Sequence, residues 1–206
     1  MNFIKHPTPP FYARILTFLF LVLCAQTGYA QDSRWLKSWN EALASMPEQL
    51  LSRDSIVSAH EKGIPFIIQG TVYNPDGSLA TGVIVHAYHR DAKGYDFGPG
   101  DSTTSTWRLQ GWAQTDESGQ FEFISIRPAP DHLGRGGAHI HFTIVSTKYG
   151  RQWAPTVFLA DDPMVPESKR TLAGKKGKFT DVCGVREIDG IQYINIHVKL
   201  KEKGDF

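Results

Sequence analysis

The chain has 206 residues, 41% of them hydrophobic and 21% charged, which suits one globular domain with an appendage and excludes fibrous and disordered classes. Its formal net charge is +1 and no basic stripe interrupts it, so nucleic acid is not an expected partner. Lys5 and Arg14 precede the apolar run Ile15–Cys24, and "AQTGYA" then "QDS" follow. This pattern predicts a signal peptide over residues 1–30, cut after Ala30, and a secreted or periplasmic mature protein. The apolar run is too short to span a membrane, and no later stretch reaches the roughly 20 apolar residues required. Removal of the leader takes away Lys5 and Arg14 and no acid, so the net charge becomes −1. Cys183 is then the sole cysteine, which rules out an intrachain disulfide and reads as a small buried hydrophobe.

Residues 31–62 read as an N-terminal helical segment, "SRWLKSWNEALASM", a break at Pro47, then "EQLLSRDSIVSAHEKG". Trp35, Trp39, Leu43 and Met46 recur at three-to-four spacing and make an apolar stripe. That stripe suits packing on the main domain, or a homodimer contact. From Pro65 the period changes to two. "FIIQGTVYNPDGSLATGVIVHAYHRD" predicts strand, turn on Asn74–Gly77, and strand, and "RLQGWAQTDESGQFEFISIRP" repeats the design with its turn on Asp116–Gly119. "HIHFTIVSTKYG", "APTVFLADD" and "QYINIHVKL" supply further strands. Residues 63–206 are therefore expected to form one all-β domain, an antiparallel or mixed β-sandwich. Segments 91–106 and 159–187 read as long loops, where sites on rigid scaffolds tend to be built.

In "GGAHIHF", residues 136–142, two histidines stand two apart in a strand. Side chains alternate along a strand, so His139 and His141 share a face with Cα atoms roughly 6.5–7 Å apart. That spacing lets two imidazoles converge on one ion at about 2.1 Å per bond. Ala138, Ile140 and Phe142 then pack on the opposite face. His86 and His89 flank Tyr88 on an earlier strand and read as surface or supporting residues. His197 alternates with Ile194, Ile196 and Val198 and faces outward.

Taken in order, "GTVYNPDGSLATGVIVHAYHRDAKGYDF", "GWAQTDESGQFEFISIRPAP", "AHIHF" and "VFLADDP" resemble the intradiol ring-cleavage dioxygenases over about residues 63–165. The resemblance implies a non-haem ferric ion held by two tyrosines and two histidines. It places the histidines at His139 and His141 and the first tyrosine at Tyr95, in "DAKGYDF". A phenol ionises near pH 10, but a trivalent cation stabilises the phenolate at neutral pH. The second tyrosine of the family should follow "RPxP", where this chain reads "RPAPDH". Either Asp131 takes that place, as ligand and proton acceptor, or His132 does, as a third imidazole, or neither reaches the metal; His132 is preferred as the ligand because imidazole suits most first-row metals. The family arginine aligns with Gly136, leaving Arg135 one position earlier as the candidate catalytic cation, and the family glutamine aligns with Thr156.

The expected activity is an exported dioxygenase that takes a small aromatic diol and O2 and breaks the ring between the two hydroxyls. Fe(III) is the expected metal, with copper or zinc as alternatives. The competing expectation is a secreted metal-binding sandwich whose altered ligands serve no ring cleavage.

Overall fold

The computed structural model describes residues 33–98 and 106–205. Within them lie helices α1 (Ser33–Ala44) and α2 (Glu167–Gly174), a 3₁₀ turn at Gly177–Phe179, and the strands β1 (Arg53–Ser55), β2 (Pro65–Tyr73), β3 (Ile84–His89), β4 (Leu109–Gln114), β5 (Gln120–Ile126), β6 (His139–Ser146), β7 (Gly150–Trp153), β8 (Val157–Leu159), β9 (Val182–Cys183), β10 (Arg186–Ile188) and β11 (Ile191–Lys199). The expected signal peptide at 1–30 lies outside the described residues. No helix among the described residues is long and apolar enough to cross a membrane.

The fold is mostly β, with two mixed sheets. One runs β1-β5-β2-β11-β10 and the other β4-β3-β6-β8-β9, with β7 paired to the far end of β6. The period-two pattern of β2 sends Phe66, Ile68 and Val72 inward, and Gly70 leaves the space that the Phe121 ring fills. Across from them stand Val85, Ala87, Ile140, Phe142 and Ile144 of the second sheet, and all belong to one core cluster. Burial of such side chains contributes about 1.5–3 kcal/mol each. Ala138, Ile140 and Phe142 do pack on the face opposite the histidine pair, each at most 1% exposed. Cys183 is buried, and burial raises its thiol to about 11.

A second cluster covers the outer face of the β3-containing sheet. Trp39 and Ala42 of α1 pack there with Tyr88, Trp107 and Trp112, and Trp35 and Met46 join from the side. The stripe considered for a homodimer is thus taken up largely by the chain's own sheet, although Leu43 remains 38% exposed. Strand β3 is consequently buried on both faces. His86 sits in this cluster with its ring 4.3 Å from that of Trp112, and His89 points the other way into the core, so burial removes the surface reading of both and leaves the supporting one.

Two further expectations fail. Helix does not resume after Pro47. Residues 53–55 instead run parallel to β5, and the neighbouring backbone is satisfied by the Ile56 N–H to Ile124 O bond and by Ser52 O accepting from Glu122 N–H. Ile56 enters the core, an outcome that sheet pairing offers and a surface helix does not. Segment 159–187 is not all loop, for it holds α2 and β9. Only Ala173 of α2 is buried, so its apolar pattern is weak.

Candidate active site

The site grows from β6. That strand is held on both sides, with Tyr88 paired to His141 across β3 and Phe158 paired to His139 across β8. With the register locked, His139 and His141 must share the outer face. Their Nε2 atoms stand 3.0 Å apart. The Nδ1–H of His139 donates to Gly137 O at 2.6 Å, which assigns its Nε2 as a lone-pair acceptor. His141 lies between the Tyr88 ring, stacked at 4.8 Å and 15°, and Thr156 Oγ1, 3.3 Å from its Nδ1.

Burial drives both imidazoles toward the neutral form. For His141, desolvation first, then the charges of His139 and Arg90, lower the value to about 3. For His139, desolvation also leads, with Arg90 adding to it. Two neutral imidazoles whose Nε2 atoms face one point are in the form that ligates metal. The pair therefore fits an ion.

The loop residues behave otherwise. Tyr95 is half-buried and its ring stacks on His132 at 4.3 Å, while His132 Nδ1 donates to Gly94 O at 3.0 Å. Gly94 has φ +85°, and a Cβ there would run into Pro130 O and His132 N, so only glycine lets these two loops approach. Asp91 shapes the Tyr95 loop by accepting from the Lys93 and Tyr95 N–H groups, and is itself held by Arg108, which also binds Glu61.

Asp131 is 8% exposed. Its carboxylate accepts from Leu133 N–H at 2.7 Å and pairs with Arg90 at 3.4 Å and Arg135 at 3.3 Å. Burial opposes its ionisation, yet the Leu133 N–H and the two arginines hold its carboxyl below the usual range. The Arg135 side chain is 69% exposed and turned to Asp131, not to the histidine pair. Among the described residues, no group of three or more His, Cys, Asp and Glu side chains is gathered at one metal-holding point. The third imidazole or carboxylate expected from His132 or Asp131 is thus not brought to His139 and His141, because each has nearer partners.

One residue passed over in the sequence stands beside the pair. Arg90, one position beyond β3, brings Nη1 to 3.4 Å from His139 Nε2. Its Nε donates to Asp96 at 3.1 Å and its Nη2 faces Asp131, and the side chain is 15% exposed. His141, Tyr88, Arg90, Phe97, Trp107 and Trp35 line a cavity of about 190 Å³. An apolar cavity of about 150 Å³ accepts benzene, so one aromatic ring fits this space. Tyr88 forms a wall, stacked 3.8 Å from Trp107, and its hydroxyl accepts from Trp35 Nε1–H at 3.3 Å. Burial raises the Tyr88 phenol to about 12, so it stays protonated.

The chain is similar to known proteins over most of its length. The Dioxygenase family profile matches residues 42–180. Catechol 1,2-dioxygenase 1 of Acinetobacter lwoffii is 29% identical over 127 residues, covering 53% of this chain and 40% of that protein. The chain thus spans well under half of that curated relative. Catechol 1,2-dioxygenase of Acinetobacter radioresistens is similar in structure, with TM-score 0.58 and 15% identity over 98% of this chain and 89% of that one. The dioxygenase domain of a dioxygenase carbohydrate-binding fusion from Streptomyces sp. SirexAA-E gives TM-score 0.56 and 20% identity, over 76% and 92% of the two chains. At such identities the structural likenesses concern the fold. The profile match covers most of the chain, and with the sequence relative it makes this protein a distant member of the intradiol ring-cleavage dioxygenase family.

Proposed function

We propose that the protein is an exported dioxygenase, built on a two-sheet β-sandwich, that opens a catechol-type ring between its hydroxyls. The observation carrying this reading is the convergence of His139 and His141 Nε2 atoms beside a cavity walled by Tyr88, Trp107 and Phe97. His139 and His141 would hold the metal, with Tyr95 as the phenolate donor that family position suggests. Iron is the proposed metal, and its contribution when bound is Lewis-acid activation and orientation of the diol. The chain's residues supply the remainder. Flat aromatic walls orient a planar ring, and the Gly137 and Thr156 contacts aim the two imidazoles. One O2 is consumed per diol, both oxygen atoms are retained, and the product is a diacid of the muconate type.

A second reading, a metal-binding domain without ring cleavage, draws support from the placement of Asp131 and His132 away from the pair. Metal analysis of protein purified without chelator, together with O2 uptake on catechol, tests the two readings. Near-stoichiometric iron, a visible phenolate-to-metal absorption and diacid formation support the first. Colourless zinc protein that takes up no O2 overturns it. Export is proposed from the leader pattern at residues 1–30, and N-terminal sequencing should find mature protein starting near Gln31.

A further inference from the structure

We infer that Arg90 is the residue that binds the ionised oxygen of the diol, a role that the neighbouring sequence suggested for Arg135. The inference rests on the diol reading above. Three observations carry it. The Arg90 guanidinium is anchored on Asp96 at 3.1 Å and faces Asp131 at 3.4 Å. Its remaining nitrogen, Nη1, faces the point on which the imidazole nitrogens converge, 3.4 Å from His139 Nε2. The same side chain lines the aromatic cavity with His141.

A guanidinium is charged at every working pH and cannot ligate a metal, so its contribution is a fixed cation with directed donors. As the site stands, Nη1 uses the lone pair of His139. An ion bound by His139 takes that lone pair, and Nη1 is left as a donor beside a second positive charge. An anionic oxygen placed between them satisfies both, and an ionised diol supplies one. Asp96 and Asp131 keep the guanidinium in place, so little reorganisation is needed when charge develops on the ring oxygens. Arg135 cannot do this from where it stands, and Gly136 has no side chain to offer.

The test is equilibrium binding of 4-nitrocatechol, a coloured diol, to metal-loaded protein without O2, alongside metal content and catechol turnover. Arg90→Gln should weaken 4-nitrocatechol binding at least tenfold and lower kcat/KM by about 10²–10³-fold, the cost of losing one preorganised donor to a developing oxyanion. Its metal content should stay equal to wild type or rise, because a neighbouring cation has gone. Arg90→Lys, which keeps the charge and most of the packing, should lie between the two and covers the case in which the glutamine variant folds poorly. Arg135→Gln should stay within threefold of wild type. If 4-nitrocatechol binds the Arg90 variants as tightly as wild type, the role of Arg90 is overturned. If wild type binds the diol in an Arg90-dependent way but opens no ring, the reaction reading falls and the role of Arg90 stands. Absence of any diol binding by wild type overturns both.

Discussion

Strand β6 and the loop at residues 128–137 enter the site from consecutive stretches of chain, yet they deliver side chains on different terms. On β6, pairing to β3 and β8 decides where His139 and His141 point, whatever lies near those rings. On the loop no ladder imposes direction, so Asp131 and His132 go to the strongest local partners. Asp131 finds two guanidinium groups and a backbone N–H, and His132 finds a carbonyl and an aromatic ring. A residue placed by sheet register is available for a ligand. A residue placed by competition is already engaged.

The sharpest way to break this contrast is at the strand. His139→Ala and His141→Ala should each lower metal affinity about a hundredfold or more, since even supporting contacts to metal ligands are worth 10–100-fold. Elemental analysis checks this, and full metal retention in both variants would remove the centre from β6.

The next effect is on stability and tests whether register also commits a neighbouring histidine. His86 Nε2 meets Gln110 Oε1 at 2.9 Å, and its Nδ1 has no hydrogen-bond partner among the described residues. A proton added there gains nothing, and burial lowers the group from its ordinary 6.5 to about 4. The folded value lies below the unfolded one, so the unfolded chain takes up the proton first. The contribution is intact above pH 6.5 and is lost as pH falls from 6.5 toward 4. On the order of 3 kcal/mol is at stake. Urea denaturation at pH 7.5 and pH 4.5 should show the loss, and His86→Phe should reduce it.

On the loop, Asp131→Ala and His132→Ala should both change metal content less than threefold. Asp131→Ala should still destabilise the fold by about 2 kcal/mol, because it takes one of two carboxylate partners from the largely buried Arg90 guanidinium; His132→Ala should cost less. A large metal loss in either variant would show that the loop rearranges around the ion and would erase the distinction. The smallest effect concerns aim. Thr156→Val removes one hydrogen bond to His141, worth about 1 kcal/mol, and should weaken metal binding about fivefold in a chelator competition.

The same contrast explains what was legible in the sequence. Alternation exposed β2, β5, β6 and β11, and the i, i+2 histidines followed from it. Residues 50–57 carry no period-two alternation of apolar and polar side chains, so only the parallel pairing with β5 reveals Arg53–Ser55 as strand. Helix α2 hides for the opposite reason, burying a single alanine. Arg90 was illegible because its meaning depends on which strand lies beside β3 and on two carboxylates, Asp96 of its own loop and Asp131 of a distant one. Aligning motifs locates residues along the chain, and an arginine can be replaced in space by one from elsewhere along it.

Strand β11 completes its sheet by running parallel to β2, with Gln192 beside Phe66 and Lys199 beside Tyr73. A ladder between segments so distant in sequence cannot nucleate early, since the loop-closure entropy comes before any contact rewards it. During synthesis β2 and β5 can pair as soon as both have left the ribosome, but the place between β2 and β10 stays empty until Lys199 has emerged. Until then β2 presents an open edge whose Phe66 and Ile68 still lack the cover of Ile194 and Ile196. The nascent protein is therefore expected to linger in a loose, protease-sensitive state and to depend on a holding chaperone. Pulse proteolysis of stalled ribosome complexes, with and without β11 exposed, should show resistance arriving in one step at the end.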